Sequence, residues 1–137
     1  MIRILKIISI SLLVLTAINA AVAGVLFIID PSGQKMGMSI SYIKDSPFKS
    51  FLIPGIVLLI VNGLLNFIAA FFLIKNKPYS AIITIIQGIL LCGWIVVQVI
   101  MVNDISALHI IMFSIGFVLT LTGFILLKLR GKNGNVN

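Results

Sequence analysis

Residues 80–102 read SAIITIIQGILLCGWIVVQVIMV, a run with no lysine, arginine, aspartate, glutamate or histidine. A helix needs roughly 20 mostly apolar residues to cross about 30 Å of hydrocarbon, and this run is long enough. On one side it is bounded by Lys75-Asn76-Lys77-Pro78-Tyr79, a tight basic turn. On the other lies Asn103-Asp104-Ile105-Ser106, a short turn whose first two residues are helix-ending and helix-capping types. Three further runs of similar character follow outward, at Ala107–Leu127, Phe51–Ile74 and Ile4–Ile29. Pro54 falls in the first turn of its span, where a missing N–H costs little. The expected architecture is all-α: one integral-membrane four-helix bundle over residues 1–127, followed by a polar tail at 128–137.

Composition agrees. Apolar residues make up 61% of the chain and charged residues 9%, against about a quarter charged in an ordinary soluble domain. A water-soluble fold of 137 residues has too little interior to hide that much apolar surface. The net charge of +7 does not mark a nucleic-acid partner, because the basic residues form no continuous stripe. Positive charge decides which loops stay cytoplasmic, and the distribution fits that role. Arg3, Lys6, Lys75, Lys77, Lys128, Arg130 and Lys132 fall on the side of the two termini, with no acid among them. Lys35, Lys44 and Lys49 balance Asp30, Asp45 and Asp104 on the other. Both termini are therefore expected inside, with a long outer loop between the first and second helices. Residues 1–23 also read as a secretory signal peptide ending in Ala21-Val22-Ala23. The apolar run continues without a polar break to Ile29, longer than the usual 7–15 residues of a signal core, and a span is the preferred reading.

In lipid, helix association relies on small residues and interhelical hydrogen bonds. Each span carries such residues at intervals of three, four or seven, which share one face of a helix. The stripes are Ser9, Thr16, Asn19, Ala20 and Ala23; Gly55, Asn62, Asn66 and Ala69 or Ala70; Gln87, Leu91, Trp94 and Gln98; and His109, Phe113, Gly116, Thr120 and Gly123. Asn62, Asn66 and Gln87 lie near mid-span, where an amide ladder joining helices is the plain expectation. Trp94, Gln98 and His109 lie toward the outer end, with Asn19 between them and the mid-span group, and the four form a candidate pocket beneath the loop carrying Asp30, Lys44 and Asp45. Within that loop Met36, Met38, Ile40 and Tyr42 alternate as in a strand, while Met36, Ile40 and Ile43 fit one helical face. A short amphipathic helix on the outer leaflet is one expectation.

Asp30-Pro31-Ser32-Gly33, Lys44-Asp45-Ser46-Pro47-Phe48, Leu52-Ile53-Pro54-Gly55 and Gly93-Trp94-Ile95-Val96-Val97-Gln98 together resemble a group of small bacterial four-span membrane proteins. That group is functionally uncharacterised, so the resemblance implies a topology and no catalytic residues. The resemblance implies a bacterial inner membrane, and the excess of lysine over arginine together with frequent isoleucine fits an AT-rich bacterial genome.

Chemistry is sparse. The single cysteine, Cys92, forms no internal disulfide and is expected to pack as a small hydrophobe. No Cys-x-x-Cys or phosphate-binding glycine loop occurs, and no carboxylate lies within a span. One histidine does not build an ordinary metal site. No catalytic residue, metal or cofactor is assigned. The expected partners are membrane lipids and a second copy of the chain. The function expected is non-catalytic binding or assembly. The rivals are a transporter or channel subunit using Asn62, Asn66 and Gln87 as a polar path, and a lipid-modifying enzyme with His109 as acid or base assisted by Asp30.

Overall fold

A computed structural model describes residues 1–44 and 46–132. It holds four long helices: α1 (Ile2–Ile29), α2 (Leu52–Ile74), α3 (Ser80–Val102) and α4 (Ala107–Lys132). All four are long and apolar enough to cross a membrane, and no strand occurs among the described residues. At 1.5 Å per residue they reach roughly 35–42 Å. This is a multi-pass membrane protein.

Two ends differ from expectation. α1 starts at Ile2, and α4 runs through Lys132, well beyond Leu127. Both extensions contain basic residues, whose long apolar stems allow a helix to continue past its hydrocarbon-facing part. Arg130 shows this directly, because its Nη1 donates to Ser80 Oγ at 2.7 Å and to the Lys77 carbonyl at 3.3 Å.

Each helix packs on its neighbours in a closed ring, α1–α2, α2–α3, α3–α4 and α4–α1. Glycine sets the closest approaches. A Cβ on Gly24 of α1 would lie 2.8 Å from the Gly55 carbonyl oxygen of α2. A Cβ on Gly88 of α3 would lie 2.7 Å from both the Gly116 oxygen and the Thr120 nitrogen of α4. Cys92 packs in this second crossing, with its thiol 3.5 Å from the Phe113 carbonyl. α1 and α4 are joined by Ser9 Oγ donating to Thr122 Oγ1 at 2.9 Å.

The interior has two apolar clusters with a polar belt between them. Leu13, Ala69, Ala70, Leu73, Ala81, Leu119 and Leu126 pack toward the end with the termini. Ala20, Phe27, Ile43, Phe51, Leu58 and Met101 pack at the end with the α1–α2 loop. Thr16, Asn62, Asn66 and Gln87 lie between these clusters along their helices, all buried. The outward faces of the helices are largely Ile, Leu, Val and Phe, suited to lipid.

The loop forms neither a strand nor a single amphipathic helix. Gly33 and Gly37 adopt left-handed φ of 81° and 69°, which interrupts both, and two short 3-10 turns result, Gln34–Met36 and Ile40–Ile43. Ile40 and Tyr42 are exposed while Ile43 is fully buried, so its side chain is tucked into the bundle and not into a leaflet. Phe51 stacks on Phe27 with ring centroids 4.9 Å apart, and its N–H donates to the Pro31 carbonyl. Gly33 packs so tightly on the Phe51 ring that a Cβ there would lie 2.8 Å away.

α2 is not a regular α-helix throughout. Leu58–Leu64 is a π-helical segment with Asn62 at its centre of polarity. Wide turns of this kind are rare and concentrate at functional sites.

Candidate functional site

A cavity of about 460 Å³ occupies the loop end of the bundle, within the size range of small-molecule sites. α1 contributes Thr16, Asn19, Ala20 and Ala23 to its wall, and α2 contributes Leu58 and Asn62. α3 contributes Trp94 and Gln98, and α4 contributes His109. Met38, Tyr42, Ile43 and Phe51 roof it. Asp104 and Ser106 lie at its edge, in the turn between α3 and α4.

The four residues of the candidate pocket, Trp94, Gln98, His109 and Asn19, thus line one space. Of the mid-span amides only Asn62 reaches it; Asn66 and Gln87 are buried elsewhere in the belt. Asp30 and Lys44 do not line it, and Asp45 lies outside the described residues.

The mid-span amides do not form the expected ladder. Asn66 Nδ2 donates to the Asn62 carbonyl at 2.8 Å, within one helix. The accepting carbonyl lies in the wide π-helical turn. Several polar atoms are left with no protein partner: Thr16 Oγ1, both amide atoms of Asn62, Asn66 Oδ1, Gln87 Oε1 and Trp94 Nε1. Each such buried group costs about 1–3 kcal/mol if nothing binds it. Thr16, Asn62 and Trp94 belong to the cavity wall, so three helices bring residues with buried, unpaired polar atoms into the lining of one space.

His109 is held by the start of its own helix. Ser106 N–H donates to His109 Nδ1 at 3.1 Å, and His109 N–H donates to Ser106 Oγ at 3.4 Å. This reciprocal pair is a capping box with histidine in the position usually held by Glu or Gln. It requires Nδ1 to carry no proton, which leaves the neutral ring's proton on Nε2. Ser106, and not Asp104, therefore caps α4, while Asn103 ends α3 in the left-handed region with φ 57°. The Ser106-x-x-His109 spacing was present in the sequence as a signal for this arrangement.

Asp30 is occupied in the loop. Its carboxylate accepts from the Ser32 hydroxyl, the Ser32 N–H and the Lys35 N–H. The Ser32 hydroxyl foremost, then the Lys35 N–H, holds this carboxyl below the usual aspartate value. The expected pairing of His109 with Asp30 is not made: each side chain is engaged locally, and only His109 lines the cavity.

A second concavity of about 310 Å³ lies on the outside of the α3–α4 pair. It is almost wholly apolar, lined by Val96, Val99, Ile100, Ile105, Ile110 and Phe113, and it shares Ile95 and His109 with the cavity.

The sequence matches no protein-family model, and no curated protein or solved structure is similar enough to it to carry an argument.

Proposed function

We propose that this chain is a non-catalytic bacterial inner-membrane protein that binds a lipid or similar amphiphile in the cavity at its loop end. Both termini face the cytoplasm, so the cavity lies toward the outer leaflet, in keeping with seven basic residues and no acid on the terminal side. The observation that carries the reading is the set of unpartnered polar atoms of Thr16, Asn62 and Trp94 around one mostly apolar space. A mostly apolar pocket with a few convergent polar groups is the usual form of a small-molecule site. Native mass spectrometry of the protein released from lipid nanodiscs tests it. The expected spectrum shows a retained lipid adduct whose occupancy falls in a cavity-filling Ala20→Phe variant. A bare protein, or an adduct indifferent to that substitution, refutes it.

Orientation is tested separately on a Cys92→Ala background. Cysteine at position 40 should label from outside intact cells and cysteine at position 77 should not; the reverse pattern overturns the topology.

A second reading, an oligomeric transporter or channel, draws on the unpaired amide oxygens of Asn66 and Gln87 below the cavity. Within one chain that path ends at Leu13, Leu73, Leu119 and Leu126, all fully buried. Such an activity therefore needs a pathway between copies, and a strictly monomeric native spectrum excludes it.

A further inference from the structure

We infer that the cavity selects lipids whose head is uncharged and carries both a hydroxyl and carbonyl groups, as diacylglycerol does, and that these lipids enter sideways through the α3–α4 groove. The inference rests on the binding reading above and adds the chemical class of the ligand and its route.

Charge comes first. Among the described residues no lysine or arginine lines the cavity, and the one carboxylate is Asp104 at its edge. A phosphate or carboxylate head brought inside would lose its water and gain no countercharge, a large cost. Asp104 would also repel it. A cationic head would find that one edge carboxylate among the described residues. Uncharged heads escape both penalties.

Hydrogen bonding narrows the class further. Trp94 Nε1 can only donate, so the ligand must offer an acceptor. Asn62 has its donor and its acceptor both unpaired. The ligand must therefore also offer a donor. A glycerol hydroxyl beside ester carbonyls supplies both. A quinone head supplies acceptors alone and leaves the Asn62 oxygen unpaired.

The route follows from shared walls. Ile95 and His109 border the cavity on one side and the apolar groove on the other. The remaining groove residues stand on the outside of the bundle, with Ile100 71% and Ile105 63% exposed, and in a membrane that surface faces lipid. An acyl chain can lie in the groove while its head passes over Ile95 and His109 to reach Asn62 and Trp94.

Trp94 is the single tryptophan of the chain, so its emission reports on this site alone. The probes are diacylglycerol, phosphatidylglycerol and phosphatidylethanolamine with identical dibrominated chains, each titrated into maltoside micelles of the full-length protein. Bromine quenches indole emission at short range. The expected result is saturable quenching by the diacylglycerol, with the two phospholipids quenching only in proportion to their content of the micelle. Asn62→Leu should weaken the apparent affinity about tenfold, the loss of one or two hydrogen bonds. Thr16→Val, nearly isosteric, should weaken it a few-fold. Val99→Phe, which narrows the groove, should weaken long-chain diacylglycerol and spare dioctanoylglycerol.

Saturable quenching by phosphatidylglycerol as strong as by diacylglycerol overturns the uncharged-head inference and leaves lipid binding intact. Saturable quenching by a ubiquinone, with none by diacylglycerol, overturns the requirement for a donor. An unchanged long-chain affinity in Val99→Phe overturns the groove as the route. Quenching that never exceeds bulk content for any lipid removes the binding reading itself.

Discussion

Gly88 and Gly93 lie five residues apart on α3, and replacing each with alanine should shift stability in opposite directions. In a helix interior, Gly→Ala gains about 0.5–1 kcal/mol by reducing the freedom of the unfolded chain. At Gly93 nothing stands within 4 Å of the new methyl, so that gain is realised in full. At Gly88 the methyl would meet the Thr120 hydroxyl at 2.5 Å, and the Gly116 oxygen and Thr120 nitrogen at 2.7 Å. Two of these three atoms are backbone of α4, so relief requires the helices to separate. Overpacking of this kind costs about 1–3 kcal/mol. The two variants should differ by about that amount, roughly 5- to 150-fold in the unfolding equilibrium. Cys92 packs at the same α3–α4 crossing and is the single thiol of the chain, so its alkylation rate across an SDS titration in maltoside micelles reports separation of the two helices. Gly88→Ala should expose Cys92 at lower SDS than the parent protein, and Gly93→Ala at equal or higher SDS. If the two variants are equally stable, α3 and α4 do not meet at Gly88 and the packing described above is wrong.

Three further outcomes follow. Ser9→Ala removes the one side-chain bond seen between α1 and α4 among the described residues and should cost about 0.6 kcal/mol, the average for such bonds in membranes; because the Thr122 hydroxyl also donates to the Leu119 carbonyl, combining it with Thr122→Val should cost less than the sum of the two single variants, and full additivity would refute the bond. Ser106→Ala should cost about 1 kcal/mol through loss of the α4 cap, whereas His109→Gln, which keeps an acceptor in the capping box, should cost less; the opposite ranking would assign His109 a role other than capping. Asp30 is held below its ordinary pKa of 3.8 by Ser32 and Lys35, so its contribution is fully present above that value and is lost as pH falls through the lower folded value. The Lys35 amide resonance should therefore titrate with a midpoint below 3.8, and a midpoint at or above it contradicts the loop's hydrogen bonding.

The four helices were legible because hydropathy over some twenty residues leaves little alternative. Their inward faces were legible as well: Ser9, Thr16, Asn62, Asn66, Gln87 and Gly116 are buried as their spacing suggested. Phe113 is exposed on the outside groove, which shows the limit of a stripe drawn from spacing alone, because one residue's rotation spans the boundary between core and lipid. What Asn66 bonds to was not legible. An amide that bridges helices and one that reaches back four residues to its own backbone leave the same pattern in the sequence. The loop escaped prediction for another reason. Alternation of Met38, Ile40 and Tyr42 carries information only on a continuous strand or helix, and the left-handed Gly33 and Gly37 interrupt both. The roof residues Ile43 and Phe51 were therefore missed as part of the cavity wall.

The π-helical segment gives α2 an unusual tolerance. A wide turn takes up one more residue than the α-helical turn it replaces, so the two halves of the span are registered separately. The first half is fixed against α1 at Gly55, and the second is fixed by Ala69, Ala70 and Leu73 in the opposite cluster. Deleting a single residue from an ordinary span rotates everything beyond it by about 100°. Deleting one between Leu58 and Leu64 would instead restore an unbroken α-helix and leave both anchors facing as they do now. A shortened chain of that kind should fold, but Asn62 and its neighbours would turn relative to the cavity, so the length of this one helix acts on ligand recognition independently of the fold.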